Sequence, residues 1–533
     1  MEVESSGSKV LVVGAGPTGL IMAATLQRFG IDFEIIDKKD GLTDTSKGLS
    51  LNVSTQIVLY LLNLAEHVGV NGQKIRKLNL VHEKDRVMSV DFRKLSGDRY
   101  LITQPQSATE AEIYHCLQCR GVEVQWSSAL QSIDECASGY FVNIVKNGSE
   151  VIKGPYRYVI GCEGKKSLVR EKIGALMESK QYSHYFLLAD FKVKNTIDND
   201  EVNYIESGGD FFIIVPLSNN ICRVVMVTDV KPSSEYALGN ALKNLVNSYY
   251  DKDIIVSEAV WTSSAQIYLS VADKIQLNRL FICGDSFHLV SPIGGTGMNM
   301  GIQDAFNLGC KIAAVINGIQ DESILHKYQT ERLSVVKETC AKVDVTTRMI
   351  FDKIFRDENS GFFVPDITKR NLFKKIYPES YSGLSLRYPM NSPVEINEQY
   401  KNQYVGCLFE NTNIFYSGPF KEKLLKPILI FNVDESSDFS AVQNMVSLVR
   451  AFIDAKYSSV FHLINIGNSS EIFTGFINFP IDCNLPVGTF TLLTCEGIIE
   501  FMCDIESGGL LLAYIECMYV KTSGMLSSVG VGV

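Results

Sequence analysis

The chain has 533 residues, 46% of them hydrophobic and 21% charged, enough for roughly two to four domains and too apolar for wholesale disorder. A formal net charge of −10 speaks against a duplex nucleic-acid binder, which needs a dense Lys/Arg footprint to displace counterions. Residues 431–533 hold 11 acids against 3 bases, a skew that marks a separate C-terminal module.

The 13 cysteines are an odd, scattered set, and the opening MEVESSGSK carries no apolar signal run, so reduced thiols in a cytoplasm are expected. No apolar stretch reaches the ~18 residues a bilayer demands, because Val10 to Leu26 is broken by three glycines and a proline. The triplets at Asn52, Asn147 and Asn468 match the glycosylation pattern, which arises often by chance.

In chain order, Lys9 to Val13 is a short apolar run. Gly14-Ala-Gly16-Pro17-Thr18-Gly19 follows, then a helical pattern to Gly30 and a second run, Phe33 to Ile36, ending at Asp37. Strand, glycine turn, helix and strand in this order form a dinucleotide-binding unit. Gly14 serves the turn, Gly16 admits a pyrophosphate, and Gly19 lets helix and strand pack. The phosphates would lie on the helix N-terminus, and Asp37 would accept hydrogen bonds from a ribose diol.

From Gly121 to Ile160, runs such as Phe141-Val-Asn-Ile-Val and Tyr158-Val-Ile-Gly predict strands returning to the same sheet. Residues 182–265 read as an antiparallel, substrate-facing layer, with Phe211–Leu217 and Cys222–Thr228 joined by a turn at Ser218-Asn219-Asn220. Phe211, Phe212, Ile214 and Met226 are its candidate pocket wall. Leu280-Phe-Ile-Cys-Gly is a further buried strand, Ser323 to about Phe355 a long helix, and Tyr388-Pro-Met-Asn-Ser-Pro a linker. Beyond residue 400, the apolar runs at Pro427 and Phe490 flank a helix near Met445 to Ala455. Cys116-Leu-Gln-Cys119 has redox spacing but sits in a helical stretch without a preceding strand, so it reads as packing. No Cys/His grouping has metal spacing.

Three segments together resemble the single-component flavin-dependent aromatic monooxygenases of the para-hydroxybenzoate hydroxylase family, over residues 9 to about 345. They are Gly14–Gly19 with Asp37; Tyr158-Val-Ile-Gly-Cys-Glu163-Gly-Lys-Lys-Ser-Leu-Val-Arg170, similar to a G-x-D-G-x-x-S-x-x-R segment; and Leu280 to Ala305, similar to a G-D-A-x-H…P…G-x-G-x-N-x-G-x-x-D-A loop and helix. Gln104-Pro-Gln106 resembles the glutamine segment at the flavin edge of polyketide hydroxylases. The resemblance implies an α/β fold: a Rossmann-like FAD-binding domain of the glutathione-reductase type in two parts (1–180 and 271–390), an inserted antiparallel β-sheet substrate domain (181–270), and a C-terminal thioredoxin-like module (400–533). That tail resembles the one in phenol hydroxylase only loosely, has no cysteine pair for dithiol exchange, and is expected to be a scaffold or dimer contact.

By the same resemblance, Gly14, Gly16, Pro17, Thr18, Gly19, Asp37, Lys47, Gln106, Asp285, Gly295, Gly297, Met298 and Asn299 would bind FAD. Pro292 and Met298 would be catalytic, the first fixing the loop where oxygen adds and the second opening a helix aimed at the flavin N1/O2 edge. Phe212, Ile214 and Met226 would touch substrate, and His288 would be structural rather than a base. The implied reaction is hydroxylation of an aromatic or polyketide-like substrate by NADPH (or NADH) and O2 through a C4a-hydroperoxyflavin. Glu163 departs from the family's Asp, leaving its hydrogen-bond geometry open. Two alternatives stay open: a flavin-binding protein with little turnover, which Glu163 alone suggests, and a flavin-dependent halogenase, whose tryptophan-rich segment is not matched by Trp126 or Trp261.

Overall fold

Val10–Val13 is buried along its whole length, as a strand covered on both faces must be. It pairs in parallel with Phe33–Ile36 on one side and Tyr158–Gly161 on the other, and Tyr158–Gly161 pairs in parallel with Leu280–Ile282. Gln276–Leu277 closes this five-stranded sheet antiparallel. The computed structural model describes residues 2–5, 9–43, 48–94, 99–194, 199–251, 254–292, 295–351, 382–384, 387–389, 394–403, 427–432, 439–457, 460–466, 477–479, 485–486, 489–494 and 498–519. Its described residues fall into two compact units, one of Met1–Ala23, Asp32–Ala305 and Val336–Ser385, the other of Ala24–Ile31, Phe306–Val335 and Leu386–Val533.

Helices α1 (Pro17–Arg28), α2 (Val53–Leu61), α3 (Gln106–Cys119), α4 (Leu168–Ile173), α5 (Glu235–Tyr249), α6 (Thr296–Ile316) and α7 (Leu325–Phe351) follow in chain order. α7 matches the long helix read from the sequence.

The alternating runs between 121 and 156 do not return to the parallel sheet. Ser128–Cys136, Gly139–Lys146 and Ser149–Tyr156 form a separate four-stranded sheet with Glu2–Ser5. Alternation signals one solvated face, and of this stretch only the fully buried Tyr158–Gly161 joins Val10–Val13.

The antiparallel layer is larger than its sequence signature. Its eight strands run, from one edge to the other, His288–Leu289, Trp261–Ala272, Met177–Lys192, Ile221–Thr228, Asp210–Leu217, Glu201–Ser207, Lys77–His82 and Asp85–Asp91. The expected turn is present, with Asn219 and Asn220 at φ 61° and 56°, the left-handed pair that a tight hairpin requires. Strand alternation sends neighbouring residues to opposite faces. Ile213, Val215 and Val225, with Phe211, pack in one cluster that includes Leu101, Phe92 and Leu49. Phe212, Ile214 and Val224, with Met226, pack in another beside Leu238, Leu242 and Val246 of α5.

In the second unit, strands Ile477–Phe479, His462–Ile466, Ile428–Asn432, Thr489–Leu493 and Ile499–Asp504 lie in that order, the first three parallel and the last two antiparallel. Helices Phe439–Lys456 and Gly508–Met518 accompany them. The apolar runs and the helix expected beyond residue 400 fall on these elements. The far end of the chain, 520–533, lies outside the described residues, as do 390–393 of the expected linker.

Candidate functional site

The glycine turn is sealed by backbone. Gly14 sits at φ 103° and donates its N–H to the Ile36 carbonyl at 2.8 Å. A Cβ there would strike the Cys162 carbonyl, and one on Gly19 would strike the Gly14 carbonyl, whereas nothing lies within 4 Å of the Cβ position of Gly16. α1 begins at Pro17, so its unpaired N–H groups and positive dipole end open beside that empty space. Asp37 is buried; its Oδ2 accepts the Ala15 N–H at 2.7 Å and its Oδ1 the Lys39 N–H at 2.9 Å. A carboxylate has about four acceptor positions, so the same group can hold the turn and still receive a ligand hydroxyl.

Thr18 joins the first segment to the third. A Cβ on Gly284 (φ 60°) or on Gly301 would strike the Thr18 hydroxyl, so both glycines make room for it. Asp285 is exposed on the short 3₁₀ turn Gly284–Ser286. Behind it, Asp304 Oδ2 accepts the Gly284 N–H at 3.1 Å and lies 2.7 Å from His288 Nε2, with both side chains fully buried. His288 is therefore occupied in holding the turn.

The second turn is held by side chains. Gly295, at φ 59°, donates its N–H to the Pro292 carbonyl at 3.0 Å, and α6 opens at Thr296, two residues before the expected Met298. A Cβ on Gly295 would press on Ser50 Oγ at 2.5 Å, and one on Gly297 would meet Val290 at 3.2 Å, so protein neighbours account for part of both glycines. Asn299 is buried, and its amide is spent on backbone. Oδ1 accepts the Asn52 N–H at 3.0 Å, while Nδ2 donates to the Ser50 carbonyl at 2.8 Å and the Gly295 carbonyl at 2.7 Å. Gln303 donates to Ser54 Oγ at 2.6 Å. Asn52 is an N-cap of α2, its Oδ1 accepting the Thr55 N–H at 2.9 Å.

Gln106 opens α3. Its Oε1 accepts the Gly48 N–H at 2.9 Å, its Nε2 donates to Glu110 Oε1 at 2.8 Å, and the Cβ position of Gly48 is 3.4 Å from Met298 Sδ. Burial pushes the Glu110 carboxyl above its usual range, and its Oε2 has no partner among the described residues. Glu163 turns back onto α4, where Oε1 accepts the Leu168 N–H at 3.0 Å and Oε2 accepts the Ser167 hydroxyl.

The model of one family, described as FAD binding domain, matches residues 7–343. The chain belongs to the FAD binding domain family. Pentachlorophenol 4-monooxygenase of Sphingobium chlorophenolicum is 29% identical over 344 residues, and 6-methylpretetramide 4-monooxygenase of Streptomyces rimosus is 26% identical over 362. These matches cover 63% and 66% of this chain, and the chain spans 63% of the length of each relative. The flavin-dependent monooxygenase PieE, solved with FAD and substrate, superposes with a TM-score of 0.74 at 16% identity, covering 96% of this chain and 98% of that one. At that identity the likeness is one of fold.

The residues of this FAD binding domain fit its cofactor. Gly16 leaves open space at one helix start, and at the other the hydroxyl of Thr296 is buried with no partner among the described residues, a polar atom poised for a ligand. Lys47 lies outside the described residues. Phe212 and Ile214, expected at the substrate, are fully buried and pack with the half-buried Met226 on the α5 face. The opposite face, with Phe211, reaches Leu49, whose neighbour Ser50 donates its hydroxyl to Gly295 O at 3.4 Å. Sequence reasoning also passed over Asp304, Asn52 and Gln303. Asp304 stood inside the third motif, and Asn52, three residues before Thr55, had the spacing of a helix cap. Among the described residues no helix is long and apolar enough to cross a membrane.

Proposed function

We propose that the protein is an FAD-dependent monooxygenase that hydroxylates an aromatic or polyketide-like substrate with NAD(P)H and O2 in the cytoplasm. The observation that carries this reading is the convergence of the three motif segments, with Thr18 of the first lodged against Gly284 and Gly301 of the third. Bound FAD would supply the redox chemistry: it accepts a hydride from the nicotinamide and activates oxygen so that one atom reaches the substrate and the other leaves as water.

The chain's own part is binding, orientation and electrostatics. Gly14, Gly16 and Gly19, with the N–H groups that open α1 after Pro17, hold the pyrophosphate, and Asp37 the ribose. Asp285 takes the ribityl side of the cofactor, and Gln106 its flavin edge. Gly295, Gly297 and Met298 give the ring a backbone wall whose N–H groups face its developing negative charge, and Asn299 keeps that wall on the strand at Ser50. Pro292 shapes the oxygen side. The substrate lies near the sheet face on which the half-buried Phe211 and Leu49 pack, an apolar surface that keeps water from the reacting centre.

In domain terms, the parallel sheet supports a Rossmann-like FAD-binding domain in two parts, 1–180 and 271–390, with the substrate sheet inserted at 181–270. Lys77–Asp91 would be an outlying contribution to that sheet. The strand order of residues 400–533, with a helix after the first strand and another after the last, supports a thioredoxin-like module that serves as a scaffold or a homodimer contact. The ground for a protein without turnover weakens, because the Glu163 carboxylate finds partners on α4.

The test is NADPH oxidation and O2 uptake by yellow, FAD-loaded protein over a panel of phenols and polycyclic aromatics, scored against hydrogen peroxide release. Stimulation with hydroxylated product is expected. Protein that stays colourless in excess FAD ends the reading, and halide-dependent product would turn it toward halogenation.

A further inference from the structure

We propose that Glu163 is a positioning residue, which holds the Asp285 turn through Arg170 and Ser286 and does not itself touch the cofactor. The inference rests on the FAD reading, in which Asp285 faces the cofactor.

Glu163 leaves the end of strand Tyr158–Gly161, and both carboxylate oxygens go to the first residues of α4. Oε1 accepts the Leu168 N–H at 3.0 Å; Oε2 accepts the Ser167 hydroxyl and, more weakly, the Val169 N–H at 3.4 Å. A Cβ on Gly161 would stand 2.9 Å from Oε2, so the carboxylate is packed on the strand end and that glycine leaves room for it. A helix this short has few internal bonds to offset its unpaired N–H groups, so its start depends on such partners. Ser167, held by Glu163, in turn accepts the Arg170 N–H at 3.1 Å as the N-cap.

From there the restraint passes to the third motif. Arg170 donates through Nη1 to the Ser286 carbonyl at 3.1 Å and through Nη2 to the Lys165 carbonyl at 2.8 Å. Ser286 Oγ accepts the Gly164 N–H at 3.1 Å and donates to the Gly164 carbonyl at 3.3 Å. The residue after Asp285 is thus gripped three times by the segment that Glu163 organises. On the other side of Asp285, Gly284 is held by its N–H on Asp304 and by its carbonyl, which accepts the Phe287 N–H at 2.7 Å. The side chain one methylene longer than the family's Asp reaches the Ser167 hydroxyl and two N–H groups of α4, so that both of its oxygens are turned onto that helix. Burial raises the Glu163 carboxyl, while the Ser167 and backbone bonds pull it back; a neutral side chain that still accepts from the Leu168 N–H can therefore replace it.

The experiment titrates FAD into the apo forms of wild type, E163Q, E163A, S286A and the E163A/S286A double variant, and follows amide hydrogen exchange at residues 284–288 in the same apo-proteins. E163A and S286A should each weaken FAD binding about tenfold, the double variant no more than either, and E163Q less than about threefold. Exchange at 284–288 should quicken in E163A and stay near wild type in E163Q. A roughly hundredfold loss in the double variant, or a loss in E163Q equal to that in E163A, overturns the inference, because independent effects add and a direct charge contact does not survive amidation. Exchange at 284–288 unchanged in E163A overturns it too. If wild type binds no FAD the functional reading falls, and the exchange comparison still decides the role of Glu163. Should E163A fail to fold, E163Q against S286A decides by the same two readouts.

Discussion

The two glycine turns, Gly14–Gly19 and Gly295–Asn299, are held by different materials. At Gly14–Gly19 the tightest approaches are backbone on backbone, Gly14 against Cys162 and Gly19 against Gly14, with the Asp37 carboxylate on the Ala15 N–H. At Gly295–Asn299 the helix start is welded to strand Ser50–Leu51 by one buried amide with three backbone partners. A turn sealed by backbone has no slack. A side-chain weld depends on residues some 250 positions away in sequence, and it can be cut one bond at a time.

The sharpest way to break the comparison is G19A. Its Cβ would overlap the Gly14 carbonyl, so strand and helix must separate, and we expect a loss of about 3 kcal/mol or more with no FAD binding. Urea melts of the apo-protein read this directly; a loss below 1 kcal/mol would show that the first turn has slack after all. N299A should come next. It leaves the Asn52 N–H and the Ser50 carbonyl buried without the amide, which costs about 2–3 kcal/mol at roughly 1–3 kcal/mol per unsatisfied group with partial relaxation. Its melt should be accompanied by weaker FAD binding. G16A sharpens the contrast from the opposite direction: with nothing within 4 Å of its Cβ, stability should stay within about 0.5 kcal/mol while FAD affinity falls at least tenfold. Unchanged FAD affinity would mean that the open space is not where the pyrophosphate lies.

The difference between the turns also explains what could be read before folding. The first turn was legible from the apolar run at Val10 to the acid at Asp37, because its strand, turn, helix and second strand are consecutive in sequence; its approaches to Cys162, Gly284 and Gly301 were not. The hairpin at Ser218 and the long helix α7 were legible for the same local reason. The pairing of Lys77–His82 with Glu201–Ser207 was not, since its partner lies more than a hundred residues onward and in parallel. The face of Phe212, Ile214 and Met226 was undecided because alternation shows that two faces exist and says nothing about which one α5 covers. Asn52 read as a glycosylation triplet until its side chain was seen capping α2. Glu163 read as a defect because sequence reports a longer side chain but not where it bends.

Glu110 links the two turns and yields the smallest predicted effect. It lies one helical turn beyond Gln106, which holds Gly48 beside Met298, and it feels the charges of Lys39 and Asp37 at the other end of the cradle. Desolvation raises its pKa above the ordinary 4.5, and the bond from Gln106 only partly opposes this. A carboxyl raised on folding binds its proton more tightly in the native state than in the unfolded one. Its contribution to stability is then fully present below about pH 4.5 and is lost as pH rises through the higher native value. E110Q stays neutral throughout and still accepts from Gln106, so its stability should lack this decline. The two proteins should melt alike in urea at pH 4.5, and E110Q should be the more stable at pH 8, by a margin no larger than a single shifted carboxyl allows. Equal stability at both pH values would mean that Glu110 ionises in the fold as freely as in solvent, with Lys39 offsetting the burial. The same variant would then leave the spacing of the two turns, and with it FAD affinity, where it was.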